Sequence, residues 1–397
     1  MKITDLKCAV IGGQPTIRIA TDEGLSGYGA VEQSKASYIR PHVEFYKQYL
    51  LDQDPRDVER VMTRIRRMAS FKPWGSAVSG IEVALWDLAG KSAGLPVYRL
   101  MGGKVRDRVR AYHTVYSHLR SGNGPEAYAE ATERTLARPE GFTILKQAVG
   151  FHSTMSSQIE GYFYGDPRTG PPHPNSGPLT QAGMEHTLAC VDAIVEASKG
   201  RAGVALDCGP GWMLADAIRF ARKLEKHHIL WIEDILTGDY VPWVNPEEYR
   251  ELTQSTTTPT HTGEQIYLRQ NFRQLIESHA VRVVGPDPLD IGGLAELKWV
   301  AEYADLHGIM MAPHGIGNGL IGLAGVVQVC ATMPDNLVAF ECPSPSTEWW
   351  PEIVDGMENI EVKDGHVVVA DAPGIGIDLI PERARKYLED EDKDFFD

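Results

Sequence analysis

From about residue 109 onward, short apolar segments alternate with amphipathic segments of helical period, and this rhythm restricts the fold more than any other feature. The eight apolar segments are VRAYHTV, FTILKQA, GVALDC, ILWIED, TPTHTGE, AVRVVGPD, IMMAPH and LVAFEC. Between them lie stretches such as EAYAEATERTLA, LADAIRFARKLEKH, LRQNFRQLIES and LAELKWVAEYADLH. Strands that alternate with helices in this way predict an α/β protein with a parallel (β/α) barrel.

Residues 1–108 have a different pattern, which predicts a separate α+β unit. TIRIATDEGLSGYGAVE alternates like a hairpin with Asp22–Gly24 as its turn. The helical segments that follow close with SGIEVALWDLAGKSAG, whose final glycine should end the helix. We therefore expect three parts, with the barrel in 109–349 and a C-terminal segment, 350–397, that returns to the first unit.

The composition excludes several kinds of protein. The 397-residue chain is 43% hydrophobic, enough for a substantial core, and its net charge of −15 argues against nucleic acids and anionic membranes as partners. Its five cysteines are scattered without a CxxC pair, which favours reduced thiols over disulfides or a zinc site. Because the start shows no signal-peptide pattern and no stretch of about 20 apolar residues is present, we expect no membrane span and a cytoplasmic location.

Two segments do not follow the barrel rhythm. Residues 149–179 are rich in glycine, proline, serine and tyrosine and are too long for an ordinary connection. A loop of this kind is either a lid or binding loop, or a flexible insertion. The terminal EDEDKDFFD is expected to be a solvated tail because it is mostly charged.

Nearly every predicted barrel strand ends on an ionisable residue. The set is Lys146, Asp207, Glu233, Glu264, Asp287, His314 and Glu341. In a (β/α) barrel the chemistry is located at the C-terminal ends of the strands. Scattered surface charges would not keep this phase, so we expect these side chains to face one common mouth.

Asp207, Glu233 and Glu264 end three consecutive strands. A single acid at a strand end is more often a cap or an ion-pair partner, but three carboxylates brought together would repel one another unless a cation lay among them. Oxygen ligands without histidine or cysteine suit a hard ion that keeps positions open for water and substrate. The three residues therefore predict a metal site, and Mg²⁺ is the natural ion.

Asp287 and His314 end the next two strands, where a carboxylate can fix the tautomer of the imidazole and raise its basicity. Alone, a histidine at a loop start would be structural, but the pair beside a metal site predicts a general base. Glu341 could donate to a substrate carboxylate while protonated, position the base, or act as an ion-pair partner. Lys146 needs an anionic partner, because an ammonium in an apolar strand is costly to bury.

Three groups of motifs resemble the enolase superfamily, and its mandelate racemase subgroup in particular. The segment SGIEVALWDLAGKSAGLPVYRLMGGKVRDRV (79–109) resembles the helix and linker that precede the barrel in that family. LDCG, WIED and TGEQ carry the three carboxylates, and GPDPLDIGG followed by APHG gives the Asp–His dyad. The likeness covers nearly the whole chain, with the 149–179 loop as the main exception.

The resemblance implies a modified (β/α)₇β TIM-type barrel under an N-terminal α+β capping domain that the C-terminal segment completes. Cap segments that would shape specificity are Gly12–Pro15, the region of Glu32, and residues 71–74. The resemblance also implies a shared first step in which Mg²⁺ binds a substrate carboxylate, a base removes the α-proton, and the metal stabilises the enediolate. Relatives are often dimers or octamers, so a homo-oligomer is expected.

The chain departs from the family pattern at two positions. Many relatives carry Lys-x-Lys on the second barrel strand, and the second lysine is the base opposite the His–Asp dyad. Here Lys146 matches the first lysine and Ala148 the second, so Lys146 is expected to face the metal-bound carboxylate and Ala148 cannot accept a proton. Some relatives place histidine or asparagine two positions after the first metal ligand, where Gly209 stands here. This glycine argues against the mannonate-dehydratase pattern.

With a single visible base, chemistry on one face of the substrate is favoured. The resemblance then implies a hydro-lyase that removes water from an acid sugar of the aldonate or aldarate class by β-elimination, giving a 2-keto-3-deoxy acid. The alternative is an epimerase or lactone cycloisomerase that uses the same enediolate. A non-catalytic sugar-acid binding protein is the remaining possibility.

The acid that protonates the leaving hydroxyl stays open at this point. It could be His314 itself in a syn elimination, or a side chain of the long loop or the first barrel strand, where packing is the commoner role. Those side chains are His152, Tyr162, Tyr164, His113, Tyr116 and His118. Weak candidates for substrate binding are Trp74, His113, His118, His152 and Tyr164.

Overall fold

The computed structural model of the chain describes residues 1–68, 74–116, 122–168, 175–237, 244–343 and 350–397, with Trp74 described by its backbone. Of the sequence predictions, His118, residues 71–73 and the Trp74 side chain therefore lie outside the described residues.

The N-terminal unit begins with an antiparallel sheet. Its strands are β1 (Ile3–Ile11), β2 (Gln14–Thr21) and β3 (Ser26–Ala30), in that order. The predicted hairpin joins β2 to β3: the Thr21 amide donates to the carbonyl oxygen of Leu25 at 3.1 Å, and Gly24 has a φ of +81°. Glycine adopts this left-handed conformation without strain, which explains its place in the turn.

Helices cover this sheet. They are α1 (Ile39–Leu50), α2 (Val58–Ile65), α3 (Trp74–Ala93) and α4 (Val97–Leu100). As predicted, α3 ends at a glycine, Gly94, which has a φ of +64°. The approach of α3 to β3 is very close, because a Cβ added to Gly29 would stand 1.9 Å from the carbonyl oxygen of Gly80. Only glycine at position 29 permits this packing.

Eight strands of the described residues form the barrel. They are β4 (Arg108–Val115), β5 (Ile144–Ala148), β6 (Gly203–Asp207), β7 (Ile232–Glu233), β8 (Thr260–Thr262), β9 (Val283–Val284), β10 (Met310–Met311) and β11 (Phe340–Glu341). Neighbours from β4 to β10 pair in parallel, and β11 pairs in parallel with β4. The ring closes between β10 and β11, where Met311 bridges Leu337.

Among the described residues, one helix follows each of the first seven barrel strands, except that two helices follow β5. These helices are α5 (Pro125–Leu136), α6 (Met155–Gln158), α7 (Gln181–Ser198), α8 (Leu214–Leu224), α9 (Pro246–Gln254), α10 (Arg269–Glu277), α11 (Leu294–Leu306) and α12 (Gly319–Cys330). The predicted (β/α)₇β architecture with an N-terminal cap is confirmed. Inside the barrel a small apolar cluster that includes Tyr112, Trp231 and Val283 fills the space beneath the strand ends.

The C-terminal residues divide their contacts between the barrel and the cap. They form α13 (Trp350–Ile353), β12 (Val354–Asp355), β13 (Val362–Lys363), β14 (His366–Val368), β15 (Asp378–Leu379) and α14 (Pro381–Ala384). The β13–β14 hairpin joins the barrel sheet, because β14 pairs antiparallel with the start of β4. Further along, Leu388 bridges Ile11 of β1, and the Gly12 amide donates to the carbonyl oxygen of Tyr387 at 2.9 Å.

The prediction of a solvated C-terminal tail is wrong for Asp392 and Phe395, which are buried, although most of the other residues of 389–397 are exposed. Asp392 is buried and accepts a hydrogen bond from the Val10 amide at 2.7 Å, and Arg40 Nη2 lies 2.8 Å from the same carboxylate. Phe395 is only 1% exposed, and the Lys7 ammonium reaches Asp394 at 2.8 Å. The charge of the tail suggested solvation, but its partners lie more than three hundred residues earlier, where composition cannot indicate them.

The five cysteines are all buried and form no disulfide, as predicted. Within the described ranges, none of the helices combines the length and apolarity that crossing a membrane requires.

Candidate active site

Lys146 is buried among carboxylates from three other strands. Its Nζ contacts Glu233 Oε1, and lies 3.3 Å from Glu341 Oε1 and 3.5 Å from Asp207 Oδ2. Burial lowers the pKa of Lys146, but the carboxylates of Glu233 and Glu341 outweigh this and hold the pKa well above its usual value. The side chain is therefore a charged ammonium at the mouth of the barrel. Ala148, two residues on, shares its face of the strand and is fully buried.

The three acids predicted as metal ligands lie on adjacent strands. Asp207 and Glu233 stand opposite each other at the ends of β6 and β7, and Glu264 follows β8 by two residues. All three are buried. Burial raises the pKa of Asp207; Lys146 opposes the rise, but Glu233 and Glu264 add to it, so the pKa stands well above its usual value. Acidic groups are thus crowded here, and a bound cation would stabilise their ionised forms.

The three side chains do not surround a common point in this structure. Among the described residues, no three carboxylate, imidazole or thiolate groups converge as the ligands of an ion would, and Lys146 stands between Asp207 and Glu233. Two observations still fit a hard cation. The donors are oxygens from three neighbouring strands, and Asp207 Oδ1 is buried without a hydrogen bond in the described structure, although His152 Nδ1 lies 3.2 Å away. The donor set fits Mg²⁺ in its chemistry and its strand positions.

Trp231 holds the second oxygen of Glu233, and His261 lies beside the same oxygen without a hydrogen bond from its Nδ1. Trp231 Nε1 donates to Glu233 Oε2 at 2.8 Å, and His261 Nδ1 lies 3.4 Å from the same oxygen. The His261 ring stacks on Trp231 with centroids 5.5 Å apart, and its Nε2 lies 3.2 Å from the carbonyl oxygen of Ala312. Burial lowers the pKa of His261, although Glu233 opposes the shift. Glu233 therefore turns only Oε1 toward Lys146.

Asp287 and His314 form the predicted dyad. Nδ1 of His314 lies 2.7 Å from Oδ2 of Asp287. Asp287 is held in turn by Asn318 Nδ2, which donates to both of its oxygens at 2.9 and 3.0 Å, and by the Leu289 amide at 2.7 Å. Burial raises the pKa of Asp287, and the hydrogen bond from His314 opposes this without reversing it. The carboxylate fixes the orientation of the imidazole, which leaves Nε2 as the nitrogen that faces the mouth.

Nε2 of His314 faces two carboxylates of the cluster. It lies 3.1 Å from Glu264 Oε2 and 3.5 Å from Glu341 Oε2. Burial lowers the pKa of His314, but Glu264, Glu341 and Asp287 together raise it well above its usual value. The dyad and the proposed metal carboxylates are thus in direct contact.

Glu341 is an anion that accepts several hydrogen bonds. The Thr114 hydroxyl donates to Oε1, and the Gly315 amide donates to Oε2 at 2.9 Å. Burial raises the pKa of Glu341, but Lys146, His314 and these donors outweigh it and bring the pKa down to about 2. Of the three predicted roles, this environment favours positioning the base and ion pairing over donation as a neutral acid.

His152 enters the same cluster from the long loop. Its Nδ1 lies 3.2 Å from Asp207 Oδ1, and its ring stacks on Tyr116 with centroids 5.9 Å apart. Tyr116 follows β4 on the face of Thr114. Burial raises the pKa of Tyr116, and Asp207 and Glu341 raise it further. Both side chains therefore lie at the barrel mouth with the seven strand-end residues.

Comparisons with known proteins agree with this arrangement. Residues 127–384 match the family described as Enolase C-terminal domain-like, and residues 13–102 match the Mandelate racemase / muconate lactonizing enzyme N-terminal domain. The two matches cover the barrel and the cap. The chain belongs to the mandelate racemase and muconate lactonizing enzyme family.

Relatives within this family include characterised sugar-acid enzymes. The chain is 31% identical to a D-xylonate dehydratase of Haloferax volcanii, over 95% of this chain and 87% of that protein. It is 26% identical to a D-galactarolactone cycloisomerase of Agrobacterium fabrum, over 91% and 88% of the two chains. A solved structure of a mandelate racemase/muconate lactonizing enzyme-like protein from Rubrobacter xylanophilus superposes with a TM-score of 0.83, at 31% identity over 98% of both chains. Members of the superfamily generally use Mg²⁺.

The cap of this family member contacts the loop that follows His314. The Gln33 amide donates to the carbonyl oxygen of Gly317 at 3.0 Å, and Gln14 Nε2 lies 3.5 Å from the same oxygen. Lys35 is buried next to this contact and binds both Glu32 and Asp290 of the barrel. Two of the three predicted cap segments, at Gly12–Pro15 and near Glu32, thus reach the barrel loop beside the dyad.

Four residues that hold the site together were not found from the sequence. Asn318 and Thr114 orient the dyad and Glu341, while Trp231 donates to Glu233 and His261 packs against Trp231. Strand alternation could have indicated Thr114, Trp231 and His261. The side chain of each points into the barrel, as does that of a strand-end residue on the same strand or on a neighbouring strand. Asn318 carried none, since it lies in a loop whose path the strands do not determine.

Two of the weak substrate-binding candidates lie away from the cluster. His113 precedes Thr114 on the strand, so its side chain points away from the barrel interior that Thr114 faces. It stacks on Phe142 with ring centroids 5.0 Å apart. It also lines a cavity of about 580 Å³ whose walls include none of the seven strand-end residues. Tyr164 is 77% exposed on the loop surface. Tyr162, considered as an acid, is buried, with its hydroxyl 2.8 Å from Thr187 Oγ1. Strand alternation and packing direct these side chains elsewhere.

Proposed function

We propose that the chain is a Mg²⁺-dependent dehydratase of an acid sugar of the aldonate or aldarate class. The observation that carries this proposal is the direct contact between the His314–Asp287 dyad and the carboxylate cluster around Lys146. The characterised relatives support the reaction class, because several are named as dehydratases of D-xylonate, D-galactonate or D-mannonate. The oligomer expected from the family resemblance stays a prediction.

Asp207, Glu233 and Glu264 would hold the metal. Bound there, Mg²⁺ would supply Lewis-acid stabilisation of negative charge on a substrate carboxylate. The remaining roles belong to the chain. Lys146, a fixed ammonium, is placed to bind the same carboxylate and to neutralise the charge that develops when the α-proton leaves. The carboxylates that Lys146 contacts in the structure support this role.

His314 is the proposed base. Asp287 fixes Nδ1, so that Nε2 receives the α-proton of the substrate. The electron pair of the broken C–H bond then expels the hydroxyl group on the neighbouring carbon, which departs as water with a proton returned by His314 in a syn elimination or supplied by a second acid at the mouth. An enol is formed and becomes the 2-keto-3-deoxy acid. Glu341 holds the Gly315 amide and therefore the loop that begins at His314.

Elimination is favoured over epimerisation by the residue at position 148. Inversion at the α-carbon requires a second base on the opposite face of the substrate, and Ala148 cannot accept a proton. The alternative is a lactone cycloisomerase or epimerase that uses the same enediolate. The 26% identity to a D-galactarolactone cycloisomerase is the observation that supports this alternative. Both reactions begin at His314, so they differ only in the fate of the enediolate.

A screen of aldonates, aldarates and uronates with Mg²⁺ tests the proposal, with semicarbazide to detect α-keto acids. We expect one or a few acids to give a 2-keto-3-deoxy product. The same acids, incubated in D₂O, should yield product without any epimer of the substrate. Deuterium incorporated without loss of water would overturn the dehydratase and favour the epimerase. Loss of a lactone substrate without keto acid would favour the cycloisomerase, and a His314→Asn variant with full turnover would exclude the assigned base.

A further inference from the structure

The cavity of about 580 Å³ that His113 lines lies between the barrel and the C-terminal residues. Its described walls are mostly apolar, and among them Phe142, Leu323, Trp350 and Ile360 are each at most 5% exposed. An apolar cavity of about 150 Å³ stays free of water and binds molecules such as benzene. This cavity is larger, and its volume is typical of a site for a small molecule.

The cavity shares two strands with the active site. On β4, His113 lines the cavity, and the next residue, Thr114, faces the barrel interior and donates to Glu341. β11 ends at Glu341, and the residue that follows, Cys342, lines the cavity. Successive residues of a strand point to opposite faces, so these two strands separate the cavity from the active site by the thickness of one sheet.

A helix gives a third connection between the two spaces. α12 begins at Gly319, which lines the cavity. The residue before it, Asn318, donates to both oxygens of Asp287 and so holds the dyad. The wall shared by the two spaces thus includes three pairs of adjacent residues, His113–Thr114, Asn318–Gly319 and Glu341–Cys342. A molecule in the cavity would contact this shared wall without reaching the substrate.

The polar groups of the cavity indicate what kind of molecule would fit. Its four charged side chains form two ion pairs: Arg138 Nη2 contacts Glu140, and Lys363 Nζ lies 2.8 Å from Glu361 Oε2. An ionised ligand would therefore meet no charge that lacks a partner, and its desolvation would be costly. Arg138 Nε is buried without a hydrogen bond in the described structure. A buried donor in this state is unfavourable, so an acceptor on the ligand would stabilise it.

We propose that the cavity is a binding site for a small neutral molecule with an apolar ring and one hydrogen-bond acceptor, such as an aromatic amide. The apolar walls bury the ring, and the acceptor receives the N–H of Arg138 Nε. Atoms that face an empty cavity lack contacts on that side, and the bound molecule supplies these contacts and stabilises the shared wall. The site goes beyond the proposed dehydration, because an anionic, hydroxylated sugar acid does not suit these walls.

Binding of 4-fluorobenzamide, followed by ¹⁹F NMR without any sugar acid, tests the site. We expect saturable binding with a Kd of about 1 mM or below, as befits a ligand of about ten non-hydrogen atoms. The anionic 4-fluorobenzoate should bind at least about 10-fold more weakly. Val362→Trp should also weaken binding of the amide at least about 10-fold, because Val362 lines the cavity and an indole would fill part of it. Val368→Trp is the matched control, since Val368, on the neighbouring strand β14, is 66% exposed and lies outside the described walls.

Hydrogen exchange tests whether the bound molecule stabilises the shared wall. The Gly315 and Ile316 amides donate to Glu341 Oε2 at 2.9 and 3.2 Å, so their exchange reports on the position of Glu341. With saturating 4-fluorobenzamide, we expect exchange in the peptide that contains these amides to slow by about 5-fold in the wild type and in Val368→Trp. Mass spectrometry of the exchanged peptides provides the measurement.

Absence of saturable binding to the wild-type protein would overturn the site. Equal affinities for the amide and the benzoate would overturn the neutral ligand, and a folded Val362→Trp variant that binds like the wild type would overturn the assignment to this cavity. Binding that leaves the exchange unchanged would overturn the effect on the shared wall. None of these measurements uses turnover, so a protein that binds the amide but converts none of the screened acids would contradict the dehydratase proposal alone.

Discussion

Nδ1 of His314 lies 2.7 Å from Oδ2 of Asp287, although the two residues come from different strands and are separated by 27 positions in the chain. Asn318 holds the carboxylate from the other side. The neutral imidazole therefore has one orientation and one tautomer, in which Nε2 faces Glu264 and the mouth. This contact is the basis of the first prediction.

Asp287→Asn should lower the rate of α-proton removal by about 10²- to 10⁴-fold. The amide preserves the shape of the carboxylate but does not stabilise the imidazolium that forms when His314 takes the proton. Steady-state turnover and deuterium exchange should fall together, while far-UV circular dichroism stays that of the wild type. A variant with normal exchange would show that the base lies elsewhere.

The sequence was sufficient for the strand-end residues because a parallel barrel brings every strand end to one face. Lys146, Asp207 and Glu233 could be assigned to the barrel mouth from strand phase alone. The family resemblance then assigned their order along the strands. The parts that failed depend on packing between distant segments. The tail around Asp392 looked solvated because its partner Arg40 lies on α1, and His113 looked available because its strand face could not be decided from its charge. The orientation of His152 depends on the loop path, which no local pattern encodes.

Thr114→Val should destabilise the folded chain by about 1.5–3 kcal/mol at pH 7, because it removes a hydrogen bond to the buried Glu341 carboxylate. The pKa of Glu341 in the folded chain is about 2, below that of an unfolded glutamate. Its ionised form therefore contributes full stability above the unfolded pKa, and this is lost as the pH falls toward 2. Guanidinium midpoints should thus differ most at pH 7, and the gap should narrow below about pH 4. An equal gap at both pH values would contradict this explanation.

Lys35→Met should destabilise the protein by about 3–5 kcal/mol, because it leaves the buried carboxylate of Asp290 and the half-buried carboxylate of Glu32 without their cation. Lys35 Nζ contacts Glu32 and lies 2.9 Å from Asp290 Oδ2, so it joins the cap to the barrel loop that carries Asp287. Lys35→Arg keeps the charge and should lose much less stability. Thermal unfolding of the three proteins tests this, and equal melting temperatures for the Met and Arg variants would contradict it.

Removal of divalent cations should abolish keto-acid formation. After treatment with EDTA, Lys146 balances the negative charge of Asp207, Glu233 and Glu264 without the help of a metal ion. The substrate carboxylate would add further negative charge. Added Mg²⁺ should restore the activity of the wild type. Glu264→Gln should need far more Mg²⁺ for the same rate, because a neutral amide is a weaker ligand for a hard ion. Full activity of the EDTA-treated protein after dialysis would contradict the metal proposal.

Trp231→Phe should weaken Mn²⁺ binding about 10- to 100-fold, the usual effect of losing a group that orients a metal ligand. Trp231 Nε1 donates to Glu233 Oε2 at 2.8 Å, and phenylalanine preserves the packing against Tyr112 while removing the donor. Trp299→Phe is the matched control, since Trp299 stacks on Tyr303 of α11, outside the cluster. Electron paramagnetic resonance titrations should show a weakened site only for Trp231→Phe. If both variants bound Mn²⁺ like the wild type, the prediction would be contradicted, because Glu233 would keep its orientation without this donor.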